Sequence, residues 1–373
     1  MLESRAMTVE KKARVIAFYL PQFHPIPEND VWWGPGFTEW TNVVRAKPLF
    51  NGHEQPIIPG ELGFYDLRLP ETRLAQAKLA ADHGVEGFCY WHYWFGGRRV
   101  LERPFNEVLT TGEPDFPFCL GWANHSWKGK SWSGVKQRDA DRLLIAQTYP
   151  GEADDRAHFA YLLDAFRDPR YMKVDGKPIF VIFRPTDMSD PKQRFELWRR
   201  LAKEAGLDGL YIIGINALDY ADPEALGLDA VIMSMLTAMH EGDLLARRLS
   251  RFAWRARKKL FAGGPRIVEY RDAIERLVTR LDRFQCEAYP CVYPNWDNTP
   301  RKGRGGLVLA HSTPDLFAKH LRSAIEKLDS RPLEHKLIFV KSWNEWAEGN
   351  FLEPCARWGR GYLEALREVV LNG

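Results

Sequence analysis

Much that would place this chain in a familiar class is missing from it. Its five cysteines, Cys89, Cys119, Cys286, Cys291 and Cys355, contain no C-x-x-C and leave an odd number, which argues against a zinc site and a disulfide framework and favours a reducing compartment. No apolar run reaches the roughly 18 residues of a membrane span. The opening MLESRAMTVEKKARVIAFYL lacks the apolar core of a secretory signal, so the expected location is the cytoplasm. An excess of one charge is also absent, since 52 Lys and Arg face 49 Asp and Glu for a net +3. With no basic stripe interleaved with stacking aromatics, nucleic acid is not an expected partner. No G-x-G-x-x-G follows the first apolar run, which counts against a dinucleotide-binding sheet.

What is present in excess is aromatic. Fourteen Trp, 13 Tyr and 21 Phe stand largely beside Gly, Asn, His or Glu, a distribution that suits a ligand groove better than a uniform core. Apolar runs that read as buried strands recur near Val15 to Leu20, Val85 to Tyr93, Phe118 to Ala123, Pro178 to Phe183, Leu210 to Ile215, Ala230 to Met235, Pro290 to Tyr293 and Leu337 to Lys341. Helical patterns near Glu71 to His83, Glu152 to Phe166, Pro191 to Ala205, Ala273 to Phe284, Pro314 to Leu328 and Gly361 to Leu371 separate most of them. Alternation of this kind marks parallel βα units. Eight strands predict an α/β fold, a single (β/α)8 TIM barrel with long βα loops, over residues 13–373 behind an N-terminal tail of residues 1–12.

In such a barrel the active site lies at the C-terminal ends of the strands. The residues following each strand are therefore expected to bind substrate. After the first come Tyr19, His24 and a loop with Trp32, Trp33, Glu39 and Trp40. The second ends in Trp91, His92 and Tyr93; the third supplies Trp122, Asn124 and Trp127, the fourth Arg184, and the fifth Asn216. The seventh is followed by Tyr293, Trp296 and Asp297, the eighth by Trp343, Asn344 and Trp346.

The chemistry is expected on the last of these segments, LIFVKSWNEWAEGNFLEP, Leu337 to Pro354. Glu345 and Glu348 lie three residues apart, which on a helical turn brings their Cβ atoms to roughly 5 to 6 Å. Retaining glycoside hydrolysis uses two carboxyl groups about 5 to 5.5 Å apart. The interleaved Trp343 and Trp346 suit a sugar, whose C–H face packs on aromatic rings. The potential ligands His24, His92, Asp297 and Glu345 are scattered, and no H-E-x-x-H or C-x-x-C gathers them, so neither a metal nor another cofactor is expected.

Four stretches, Tyr19 to Val43 (YLPQFHPIPENDVWWGPGFTEWTNV), Tyr90 to Phe95 (YWHYWF), Tyr293 to Arg301 (YPNWDNTPR) and Ser342 to Pro354 (SWNEWAEGNFLEP), together resemble the WbsX-like branch of the glycoside hydrolase family 99 superfamily. The resemblance covers nearly the whole chain. It implies a (β/α)8 barrel acting on glycans. Family 99 enzymes are endo-acting, retaining, metal-free mannosidases with two glutamates in an E-W-x-E motif, and Glu345 and Glu348 match that pair. By this resemblance Glu345 is the base on the sugar's own 2-OH, forming a 1,2-anhydro intermediate, and Glu348 is the acid for the leaving oxygen. Ala347 stands where the family has a histidine, which weakens a transfer of mannoside specificity.

The expected function is therefore a retaining glycosidase or transglycosylase acting on a bacterial surface polysaccharide or oligosaccharide. WbsX-like proteins are also described as glycosyltransferases of surface-polysaccharide pathways such as O-antigen and lipopolysaccharide biosynthesis. The string Asp139-Ala140-Asp141 has the form of a metal-binding D-x-D, but it lies in a charged tract and reads as coincidence. A third possibility is a barrel that binds glycan without turning it over. The basic segment 247–259, RRLSRFAWRARKK, reads as a solvated insertion, with a peripheral membrane or partner contact as the alternative.

Overall fold

The computed structural model describes residues 11–129, 142–215, 222–233, 264–278, 281 and 286–372. Asn216, the Asp139 to Asp141 string and the basic segment 247–259 lie outside the described residues. Eight strands form the centre: β1 (Arg14–Tyr19), β2 (Val85–His92), β3 (Phe118–Trp122), β4 (Lys177–Ile182), β5 (Tyr211–Ile215), β6 (Ala230–Met233), β7 (Glu287–Val292) and β8 (Leu337–Val340). Each pairs in parallel with its neighbour in sequence, and β8 returns to β1 with Arg14 opposite Leu337 and Ala17 opposite Val340. The sheet is closed, as the alternation of strands and helices predicts.

Around it run α1 (Pro27–Trp33), α2 (Glu39–Arg45), α3 (Pro70–Asp82), α4 (Arg103–Thr111), α5 (Glu152–Arg167), α6 (Pro191–Glu204), α7 (Tyr270–Val278), α8 (Thr299–Lys302), α9 (Pro314–Glu326) and α10 (Gly361–Arg367). Pro27, Pro70, Pro191 and Pro314 each stand in the first turn of their helix, where the missing N–H costs nothing. The stretch after β1, read from sequence as loop, holds the short helices α1 and α2. Strand β7 begins at Glu287, ahead of the expected Pro290, because its ladder with β6 starts at Ala230 opposite Glu287, whose side chain accepts from Arg331 and meets His335.

Strand periodicity sorts the side chains into two layers. Phe18 stacks on Trp91 at 4.7 Å and on Phe339 at 5.6 Å, while Tyr289 lies against Phe339 from the other side; these fill the barrel interior. Trp91 fits there because β3 carries Gly121 opposite it, where a Cβ would come within 3.2 Å of the indole. Tyr19, Phe88, Tyr90, Trp122 and Phe180 have the opposite parity and pack into the layer between strands and helices.

Candidate active site

Lys341, the residue after β8, continues the inward parity of Phe339, and its ammonium sits over the rings of Trp91 and Trp296 at 5.6 and 5.9 Å. The chain then turns through a short hairpin, Asn344–Glu345 against Asn350–Phe351, around a 3-10 turn at Trp346–Glu348. That turn delivers two carboxylates to one cation. Arg301 Nη1 donates to Glu345 Oε1 at 3.2 Å and to Glu348 Oε1 at 2.8 Å, and its Nη2 donates to Glu39 Oε1 at 2.6 Å. Sharing one nitrogen caps the separation of those two glutamate oxygens at about 6 Å, below the roughly 6.5 to 9.5 Å of inverting pairs. Lys341 Nζ and Ser342 Oγ serve the other oxygen of Glu345, at 3.0 and 3.2 Å.

Electrostatics divide the carboxylates. Burial alone would raise Glu345, but Lys341 and Arg301, with their hydrogen bonds, outweigh it and hold the group down at about 2, so it is a carboxylate at any working pH. Glu39 is fully buried, and burial pushes it up against the opposing pull of Arg301. Glu348 reaches furthest toward solvent, with 18% of its side chain exposed against 8% for Glu345. Tyr93 lies close enough to this cluster for Glu345 to add to the effect of burial on its hydroxyl.

The supports are specific. Glu39 also accepts the backbone N–H of Ala347 at 3.1 Å, which ties the carboxylate turn to the start of α2. Asp297 donates its N–H to the Glu348 carbonyl at 3.0 Å, while its carboxylate accepts from His53, Gln55 and Thr299. Gly349 adopts φ +56°, and a Cβ there would lie 2.6 Å from the backbone N and O of Asp297. Only glycine permits that approach.

The expected site residues separate accordingly. Trp91, Tyr93, Trp296 and Glu39 join Glu345 and Glu348 around the two cations, and Tyr293 packs on Trp296 at 5.9 Å. Trp127 faces Tyr93 at 5.2 Å and Trp32 at 6.0 Å, a partly exposed aromatic wall. Arg184 stands on the rim with Asp187, and Trp33 packs on Phe37.

Others are turned away, and the substrate-binding expectation is corrected for them. Tyr19 donates its hydroxyl to Gln76 of α3 at 2.7 Å; His92 contacts His158 of α5 at 2.8 Å; Trp122 packs on Tyr149, His158 and Trp198. All three carry the outward parity. Asn124 spends its amide bracing Arg184 and Tyr149, and Asn344 exchanges two hydrogen bonds with Leu20. Trp343 lies against Phe88, Trp40 and Trp346 pack together at 5.5 Å behind the turn, His24 is held at the Pro21 carbonyl, and Asp297 is the brace described above.

Arg301 and Lys341 were not expected from the sequence. Lys341 is detectable as a charged residue closing an apolar strand, and Arg301 as the last residue of the aromatic-rich stretch after β7.

Comparison with known proteins now bears on this geometry. The model of the family described as Glycosyltransferase WbsX matches residues 15–366. The chain belongs to the WbsX glycosyltransferase family. Two curated relatives from Xanthomonas campestris pv. campestris, each named Uncharacterized protein WxcX, are 37% identical over 96% of the chain, and the chain spans about half of their length, 50%. Among solved structures, a glycoside hydrolase-like protein matches with a TM-score of 0.63 at 15% identity, covering 98% of this chain and 96% of that one. The family 99 endo-α-mannosidase of Bacteroides thetaiotaomicron matches with a TM-score of 0.55 at 15% identity, with 95% of each chain covered. The family's description names a glycosyltransferase, and the fold of this chain is one found in glycoside hydrolase structures. Among the described residues no helix is long and apolar enough to cross a membrane.

Proposed function

We infer that this WbsX-family barrel is a retaining glycosidase or transglycosylase acting on a bacterial polysaccharide or oligosaccharide. One observation carries the reading: Glu345 is buried and held ionised by two cations, and one of those cations also fixes Glu348 beside it. An ionised carboxylate accepts a proton, and the more exposed partner can exchange one with a leaving group.

In this reading Glu345 takes the proton of the sugar 2-OH, O2 forms a bond to C1, and the C1–O glycosidic bond breaks. Its electron pair stays on the leaving oxygen, which receives the proton of Glu348. Water or an acceptor hydroxyl, deprotonated by Glu348, then attacks C1, the C1–O2 bond breaks with its electron pair on O2, and O2 recovers its proton from Glu345. Two inversions leave the anomeric configuration retained. Trp127 and Trp32 supply stacking surface for the sugar at the mouth.

Product analysis on an oligosaccharide panel tests this. Release of reducing ends with retained configuration, and no turnover of 2-deoxy analogues at the cleaved sugar, is the expected result. Normal turnover of a 2-deoxy substrate would sink the neighbouring-group chemistry. A covalent glycosyl-glutamate on Glu345 would move the chemistry to direct attack. The family description favours one other reading, transfer from a sugar nucleotide. Saturable binding of a sugar nucleotide, with transfer to an acceptor and no hydrolysis of oligosaccharide, would establish it instead.

A further inference from the structure

Glu353 lies seven positions beyond Trp346, and unlike Glu345 it has no cation beside it among the described residues: it is 2% exposed, and none of its hydrogen bonds comes from a charged group. Its Oε2 accepts the Tyr65 hydroxyl at 2.8 Å and the Trp346 indole N–H at 2.6 Å, and its Oε1 accepts the Gln76 amide at 2.6 Å. These donors come from three elements. Gln76 is on α3 and is itself held by Tyr19 of β1; Tyr65 precedes α3 and receives Asn344; Trp346 stands between Glu345 and Glu348.

We propose that Glu353 is the positioning residue of the carboxylate turn, gripping Trp346 from behind so that Glu345 and Glu348 face the cleft together. The inference rests on the catalytic reading of those two glutamates. All three groups present a donor to Glu353, so an ionised carboxylate satisfies them as they stand, whereas a protonated one would have to turn the Gln76 amide or the Tyr65 hydroxyl away from Tyr19 or Asn344 to place its hydrogen. A glutamine would set an N–H against another donor. An anion without a counter-ion in this place costs stability, which a purely structural network could avoid with an amide or hydroxyl.

Burial pushes Glu353 up to about 7, with the donated hydrogen bonds opposing it. Tyr19, Tyr65 and Tyr90 face the same layer from β1, the connection before α3 and β2, and burial raises each of them further above its ordinary value. Arg73 of α3 is engaged with the Leu67 carbonyl and Glu107. Glu353 is therefore the group of this layer that changes charge near neutrality. Its raised value gives a sign: the stability it contributes is complete below pH about 4.5 and is lost as pH rises through about 7. The grip on Trp346 strengthens over that same interval, so stability and activity should slope in opposite directions.

The test compares Glu353→Gln with wild type. The expected result is a folded variant with kcat down roughly 10- to 100-fold, KM little changed, and loss of the activity rise through pH 7. Wild-type kcat and pH profile in the variant would overturn the proposal. Should the variant not fold, the 15N-labelled indole N–H of Trp346 in the wild-type protein, assigned with Trp346→Phe, should titrate with a midpoint near 7. A resonance that stays flat from pH 5.5 to 8.5 would overturn it too. The indole titration needs no substrate, so a titrating resonance in a protein that cleaves no glycan would refute the proposed function and leave the grip standing.

Discussion

Arg301 Nη1 stands 2.8 Å from Glu348 Oε1, and the same nitrogen reaches Glu345. The guanidinium is anchored between the two glutamates, because its Nη2 is held by the buried Glu39. In the proposed mechanism a substrate exchanges hydrogen bonds with it at both glutamates. Binding and the release of Glu348 for proton transfer become one event.

Arg301→Gln should therefore lower kcat/KM by about a hundredfold or more, the scale of a general-acid or base contribution. It should also move the acidic limb of the pH profile upward, because Glu345 loses one of the two cations that hold it near 2. An unchanged acidic limb would show that Arg301 does not set the charge of Glu345. Steady-state kinetics from pH 3 to 7 give the answer.

The two glutamates should respond differently to the leaving group. Glu348→Gln should lose most of its rate on natural glycosides and keep much of it on aryl glycosides, whose good leaving groups need little protonation. Glu345→Gln should be impaired on both. Equal losses on activated substrates would refute the division of roles.

Lys341→Met should destabilise the fold, since it leaves the Glu345 carboxylate buried with Arg301 as its remaining cation. Breaking a buried pair costs about 3 to 5 kcal/mol. The Glu345 contribution is present above its ordinary value of 4.5 and is lost as pH falls through about 2. The gap in Tm between variant and wild type should accordingly be widest at neutral pH and narrow toward pH 2; a constant gap would mean that packing against Trp91 and Trp296, and not charge, is what the lysine supplies.

Gly349→Ala forces a Cβ to 2.6 Å from the Asp297 backbone at a positive φ. Strain of this kind costs about 1 to 3 kcal/mol. The chain can relieve it only by moving Glu348 or Asp297, so kcat should fall more than Tm. A variant with reduced Tm and wild-type kcat would show that the turn tolerates the shift.

Trp127→Ala should raise KM about 2- to 10-fold with kcat nearly unchanged, the worth of one aromatic contact. An equal fall in kcat would place the ring nearer the reacting sugar than the mouth.

All eight strands and the closing pair of glutamates were legible in the sequence, because apolar runs and a Trp-rich motif are local patterns. The direction of each side chain was less so. At the end of a strand neighbouring residues point to opposite faces, so Trp91 and Tyr93 enter the cleft while His92 between them meets His158 of α5. Phe18 and Tyr19 divide in the same way. The role of Arg301 was hidden for another reason. The three glutamates it binds lie 44, 47 and 262 positions away, a convergence that barrel closure creates. Asn344 and Asp297 look like ligand groups in sequence, yet Leu20 takes up the amide of the first, and His53, Gln55 and Thr299 take up the carboxylate of the second.

Asn344 has a consequence for biosynthesis. It exchanges two amide hydrogen bonds with Leu20, and Trp343 donates its N–H to Phe18, so the turn bearing the glutamates is mounted on the end of β1. During vectorial synthesis β1 leaves the ribosome with its upper edge vacant and must wait for more than 300 residues before the partner that completes it emerges.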